Sequence, residues 1–147
     1  MRNGRHSAVV LLLLLTAAPC FAHHMALVVN KENRVENVTS AHLAKIFRAE
    51  IKKWPDGKDI ILVLHKNSNG EMETLLRLNR ISEDDLQAML ISHKDSIVRV
   101  DSDADVLKTV QSTPGAVGLV DVRSVNNAIK IVKVDGKLPM EDGYLPH

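Results

Sequence analysis

The sequence predicts an α/β fold: a single small domain with a mainly parallel sheet flanked by helices. Short unbroken apolar runs recur along the chain, and such runs are typical of strands buried on both faces of a parallel sheet. Segments with helical apolar spacing lie between these runs, and three of them open with a Ser-x-x-acid pattern typical of a helix start. The length of 147 residues suits one ordinary domain.

The first half of the chain predicts two buried strands, at 26–29 and 60–64, from their apolar runs. Residues 33–37 predict a turn, after which Thr39 can cap a helix. The apolar residues of that helix recur at helical spacing and are Leu43, Ile46 and Phe47. Pro and Gly in the segment 54–57 predict a turn ahead of the second strand.

The second half predicts three helices, each opened by a serine that can cap it. The serine and acid pairs are Ser68 with Glu71, Ser82 with Asp85 and Ser102 with Asp105. Thr-Pro-Gly at 113–115 ends the last helix, and the runs at 116–120 and 129–134 predict further strands. Asp-Gly at 135–136 predicts a tight turn. Residues 136–147 contain few apolar side chains, which leaves open a loose tail or a strap over the sheet.

Residues 1–22 have the layout of a secretory signal peptide. Two arginines precede an apolar run at 8–15, and the small residue Ala22 stands where cleavage is expected. Cleavage there leaves one domain at 23–147, without the chain's single cysteine and therefore without disulfides. The apolar run is too short for a stop-transfer helix, so we expect an exported protein with no membrane insertion after cleavage.

Composition and motifs exclude several classes of protein. The chain has 19 basic and 18 acidic residues, a formal net charge of +1, and no basic stripe of the kind that nucleic-acid binding requires. No Ser-His-Asp order, nucleophile elbow or Gly-rich nucleotide loop is present. We therefore expect a non-enzymatic protein without a cofactor.

Several segments in a fixed order carry a family resemblance. The most specific are Ile-Phe-x₆-Trp-x-Asp-Gly over 46–57 and Thr-Pro-Gly-Ala-Val-Gly-Leu-Val at 113–120. The others are Val28-Val29-Asn30, the segment 43–48 and Asp105-Val106-Leu107. Together they resemble the phosphate-type periplasmic substrate-binding proteins of bacterial importers. The resemblance covers nearly all of 26–147 and implies a type 2 periplasmic-binding fold, a periplasmic location and a small oxyanion ligand, phosphate being the first candidate, in uptake or sensing.

The chain departs from that family in its length. Full-length members have two lobes that close on the ligand, whereas this chain is long enough for one. It is therefore similar to a single lobe, a short branch of the family. The resemblance implies that a second lobe, a membrane transporter or a sensor protein would complete the cleft.

The candidate ligand site is the corner between the second predicted strand and the helix after it. Its residues are Lys66, Asn67, Ser68, Asn69 and Gly70. A helix N-terminus offers unpaired backbone N–H groups and a partial positive charge, which suit an oxyanion. Phosphate binders of this type have Ser-Gly-Thr after an Arg at this corner. In this chain Lys66 would replace the Arg, and Glu71 would compete for the same N–H groups and repel a dianion.

Three alternatives stay open at this stage. Ser68 and Glu71 could simply cap each other, and the chain could then be an envelope interaction module that kept the fold without the ligand. A third hypothesis is copper binding by the mature N-terminus, through His23 and His24 with a distant third imidazole. The possible third ligands are His42, His65, His93 and His147. His65, which follows an apolar strand, is more simply interpreted as a hydrogen-bonded structural residue.

Overall fold

The structure is a computed structural model that describes residues 24–146. Its strands are β1 (Met25–Val29), β2 (Asn37–Val38), β3 (Ile61–His65), β4 (Ile97–Val100), β5 (Ala116–Asp121), β6 (Lys130–Ile131) and β7 (Lys133–Val134). Its α-helices are α1 (Ser40–Phe47), α2 (Asn69–Asn79), α3 (Glu83–Ser92) and α4 (Asp103–Ser112). Short 3₁₀ turns at Lys94–Ser96 and Val122–Ser124 follow α3 and β5.

The main sheet has five strands in the order β4-β3-β5-β1-β6. Strand β3 pairs in parallel with both β4 and β5, and β2 pairs in parallel with β7 in a separate two-stranded sheet. Strand β1 lies between β5 and β6 and is antiparallel to both. The predicted α/β class with a mainly parallel sheet is confirmed, and the first strand is its antiparallel member.

Helices cover both faces of the sheet. Successive residues of β1 point to opposite faces, so Leu27 packs in one core cluster and Val28 in the other. The first cluster is formed with α1, α2 and α3, whose buried residues include Phe47, Leu75 and Leu86. The second is formed with α4, through Val106, Leu107 and Val110. Both faces of the central strands are therefore dry, which explains their unbroken apolar sequence.

The observed strands differ from the predicted ones in two ways. The predicted strand 129–134 is divided into β6 and β7, because Val132 pairs with Leu27 while the next residue donates its N–H to Glu36 in the smaller sheet. Strand β4 was not predicted, because its Ile-Val-Arg-Val sequence is half exposed and has no buried run. The predicted signal peptide at 1–22 lies outside the described residues. Within residues 24–146, no helix has both the length and the apolar character to cross a bilayer.

The segment after β7 is a strap over the sheet and not a loose tail. Tyr144 and Leu145 are buried in the first core cluster. The Tyr144 hydroxyl accepts a hydrogen bond from the Leu27 N–H at 3.1 Å and donates one to the Val132 carbonyl at 2.6 Å. Burial raises the pKa of Tyr144 to about 12, so the hydroxyl keeps the proton that it donates.

Tyr144→Phe should destabilise the protein by about 1–3 kcal/mol, because it leaves the buried Leu27 N–H and Val132 carbonyl without that partner. The measurement is the free energy of unfolding from urea denaturation. Met140→Ala is the matched control, since Met140 lies in the same strap but is 61% exposed. Equal stability of Tyr144→Phe and the unchanged protein would show that the strap does not support the sheet.

Candidate functional site

The candidate corner lies at the edge of the sheet where the three parallel strands end. Strand β3 ends at His65, β4 at Val100 and β5 at Asp121. Helix α2 begins four residues after the end of β3, and α4 begins three residues after the end of β4. In open parallel sheets, this edge is where ligands bind.

The five predicted ligand residues form the turn into α2 and its first two positions. Lys66, Asn67 and Asn69 are exposed, Ser68 is half-buried and Gly70 is buried. Ser68 is the helix cap, and its Oγ accepts a hydrogen bond from the Glu71 N–H at 3.1 Å. The N–H groups of Asn69 and Gly70 precede the first intrahelical hydrogen bond, so the helix supplies them with no acceptor. The turn therefore combines backbone donors with one hydroxyl.

Lys66 is positioned beside an acid. Its backbone N–H donates to the Val100 carbonyl at 2.9 Å, which holds the turn against the end of β4. Its Nζ lies 3.4 Å from Oδ1 of Asp101, and both side chains are well exposed. An exposed ion pair of this kind is worth little and exchanges readily, so Lys66 can turn to another anion.

Glu71 does not complete the predicted capping box. Its carboxyl group points into the protein and accepts hydrogen bonds from the His65 N–H at 3.1 and 3.3 Å, and the residue is only 2% exposed. Burial raises the pKa of Glu71 to about 8; the His65 N–H and the charge of Arg99 oppose the rise, whereas that of Asp103 adds to it. At neutral pH the group is mainly protonated. Because the carboxyl group points inward, the expectation that Glu71 occupies the free N–H groups is wrong, and its raised pKa weakens the repulsion expected for a dianion.

Asp103, the first residue of α4, contacts His65 beside the candidate corner, and the sequence did not reveal this role. Its Oδ1 lies 3.1 Å from Nδ1 of His65, in agreement with a structural role for that histidine. Its Oδ2 accepts hydrogen bonds from the Asp121 N–H at 3.0 Å and the Ser124 hydroxyl at 3.1 Å. Asp103 thus joins the ends of β3 and β5 to the start of α4. The only sequence signal for it was its position in the first turn after a capping serine.

Metal binding at the mature N-terminus stays a prediction. His23 and His147 lie outside the described residues, so the structure does not test the copper hypothesis. Within the described part of the chain, no group of three or more His, Cys, Asp or Glu side chains is arranged to hold a metal ion.

Replacing Glu71 with Gln should change how stability depends on pH. In the fold Glu71 keeps its proton up to about pH 8, whereas in the unfolded chain it ionises near 4.5. Unfolding therefore releases a proton between these values, and the free energy of unfolding falls as pH rises, by on the order of 3–5 kcal/mol in total. Glu71→Gln cannot ionise and keeps an oxygen for the His65 N–H, so it should be the more stable protein at pH 8.

Urea unfolding of both proteins at pH 5 and pH 8 makes this measurement. The matched control is Glu73→Gln, an exposed carboxylate two residues along the same helix, which should leave the pH dependence unchanged. If Glu71→Gln loses stability with pH as steeply as the unchanged protein, Glu71 does not hold a proton in the fold.

Known proteins resemble this chain in sequence and in structure. The phosphate-binding protein PstS of Borreliella burgdorferi is 27% identical over 126 residues, which make up 78% of this chain and 44% of that protein. An ABC-type phosphate transport receptor from Vibrio cholerae has a similar structure, with a TM-score of 0.65 and 21% identity, over 79% of this chain and 48% of the other. The structure of PstS from Borrelia burgdorferi gives a TM-score of 0.64, with 20% identity over 79% of this chain and 49% of that one.

This chain thus spans about half the length of the relatives it matches, and that partial coverage fits a single lobe. The relatives and the fold confirm the resemblance to the phosphate-type periplasmic binding fold. A sequence model described as the PBP superfamily domain matches residues 16–144, and the chain therefore belongs to that family.

Proposed function

We propose that this chain is an exported, non-enzymatic solute-binding protein that binds a small oxyanion, with phosphate as the first candidate, in uptake or sensing. The site would be the corner formed by Lys66, Asn67, Ser68, Asn69 and Gly70. One observation carries the proposal: the Glu71 carboxyl group points inward and accepts from the His65 N–H, so it leaves the N-terminus of α2 open to an anion. The names of the relatives, which are phosphate-binding and phosphate-transport proteins, supply the candidate ligand.

The groups at the corner suit an oxyanion chemically. The Asn69 and Gly70 N–H groups are donors at the positive end of a helix dipole. The Ser68 oxygen already accepts from the Glu71 N–H, so its hydroxyl proton is available to a ligand oxygen. Lys66 would add a positive charge by exchanging its exposed Asp101 partner for the ligand. These groups are all donors of the kind that a tetrahedral anion accepts from.

Exposure limits how tightly such a corner binds. Lys66, Asn67 and Asn69 face water, where hydrogen bonds to a charged ligand are weaker than in a dry cleft. We therefore expect weak binding by the chain alone. A second lobe, a transporter or a sensor protein that covered this edge of the sheet would exclude water and tighten binding.

The second candidate function is an envelope interaction module that has the fold and no solute. The observation that favours it is that two polar groups of the corner already have partners within the protein. The Ser68 oxygen accepts from the Glu71 N–H, and the Lys66 ammonium pairs with Asp101. In this case the carboxyl edge of the sheet would be a surface for another protein.

An amide NMR titration of residues 23–147 with phosphate, and with sulfate for comparison, separates the two candidates. Anion binding predicts saturable shifts confined to the amides around 68–71, larger for phosphate than for sulfate. An absence of shifts up to millimolar phosphate would contradict the anion site and favour the interaction module.

Ser68→Ala should weaken phosphate binding, because it removes a hydroxyl donor of the proposed site. Ser82→Ala is the matched control, since Ser82 caps α3 with the same geometry and lies outside the corner. Each substitution should cost about 1 kcal/mol of stability through the lost cap, so only the binding readout distinguishes them. Ser68→Ala combined with Lys66→Ala should abolish the measurable phosphate affinity, and unchanged affinity in this double variant would rule out the site.

A further inference from the structure

A cleft of about 340 Å³ lies at the opposite end of β3 from the proposed anion site. It lies between the loop after β1 and the turn before β3. Its lining residues are Asn33, Arg34, Val35, Trp54, Pro55 and Asp56, and we call it the Trp54 cleft. Its volume is within the range of small-molecule sites in proteins. The proposed anion site uses none of these residues.

The apolar wall of the Trp54 cleft is held in place by the sheet. The Trp54 indole Nε1–H donates to the Gly115 carbonyl at 2.9 Å, and the same carbonyl accepts from the Ile61 N–H at the start of β3. A side chain at Gly115 would not fit, because a Cβ there would lie 1.9 Å from the Asp59 carbonyl oxygen. The ring is therefore fixed before any ligand arrives, which lowers the entropy cost of binding.

The rim of the cleft carries a cation with no close counter-ion. Arg34 is exposed and makes no ion pair within 4.0 Å with any residue in the range 24–146. Asp56, on the other rim, is already engaged: Oδ1 accepts from the Lys58 N–H at 3.0 Å, and Oδ2 lies 3.5 Å from Lys58 Nζ. The charge of Arg34 also contributes to lowering the pKa of Asp56, after the stronger contacts from Lys58. Two cations, Arg34 and Lys58, thus lie around this cleft with the one carboxylate of Asp56.

A buried donor without an acceptor lies in the same lining. Asn33 is buried, with an exposed fraction of 5%. Its Nδ2 has no hydrogen-bond partner among the described residues. Its Oδ1 accepts from the Val35 N–H at 3.0 Å, which fixes the orientation of the amide. Buried donors are almost always paired, so an acceptor is expected from outside the chain.

We propose that the Trp54 cleft binds a small organic carboxylate with an apolar body. The apolar body packs on Val35, Trp54 and Pro55, and the carboxylate pairs with the Arg34 guanidinium. The second carboxylate oxygen accepts from the Asn33 amide, which belongs to the same lining. Three observations support these three parts: a fixed apolar wall, an exposed cation without a direct ion pair, and a buried donor without a partner among the described residues.

The test uses phenylacetate as the probe and the indole N–H signal of Trp54 as the readout. The chain contains one tryptophan, so that signal is unique in an NMR spectrum. Phenylacetate should shift it saturably. Acetate lacks the apolar body and 2-phenylethanol lacks the charge, so each should bind roughly tenfold more weakly. No saturable shift with phenylacetate, or equal affinity for the three probes, would overturn the proposal.

Arg34→Gln should lower the phenylacetate affinity roughly tenfold, the loss expected for one charge-assisted hydrogen-bonded contact. Lys31→Gln is the matched control, because it removes a charge from the same exposed loop without touching the cleft. Equal weakening by both variants would show a general charge effect and reject the site. Phosphate should leave the indole signal unchanged, so this proposal and the anion site stand or fall separately.

Discussion

The carboxyl edge of the sheet depends on two acids that are satisfied from within the protein. Asp103 uses one oxygen for His65 and the other for the Asp121 N–H and Ser124, so a single side chain joins two strands and a helix. Glu71 joins α2 to the end of β3, because its carboxyl group accepts from the N–H of His65, the last residue of that strand. In a region of low dielectric, a fully paired polar network is rigid, whereas a broken one is costly. The geometry of the corner follows from this network.

The inward position of Glu71 changes what the edge can do. A carboxylate at the start of a helix normally neutralises the positive end of the helix dipole. Here the acid is removed from that end and loses most of its charge through burial, so the helix keeps its positive end without a buried ionised carboxylate. Two different surfaces thus lie at the two ends of β3: an exposed polar turn at its carboxyl end and the Trp54 cleft at its amino end.

The sequence alone predicted the elements whose formation depends on neighbouring residues. The apolar run before His65 predicted β3, and the serine pattern predicted the start of α2 at Ser68, because burial and capping are read from neighbouring residues. The inward position of the Glu71 side chain was not predictable. In a Ser-x-x-Glu pattern the carboxylate usually accepts from the backbone N–H of the capping serine. The competing donor, the His65 N–H, comes close to Glu71 only in the folded sheet. Asp103 was hidden for the same reason: its partners are 18 to 38 residues away. Strand β4 was not predicted because it is half exposed and its sequence shows no periodic pattern of buried apolar residues.

The position of β1 decides the order in which this chain can fold. Although β1 comes first in the described chain, it pairs with β5 and β6, and its Leu27 N–H meets a hydroxyl 117 residues later. Contacts this distant in sequence require a large loss of chain entropy before they give any stability, and topologies rich in them fold slowly. Strand β1 has neither of its sheet neighbours until residues 116–131 are available, so it stays unpaired in the sheet through most of the chain's synthesis.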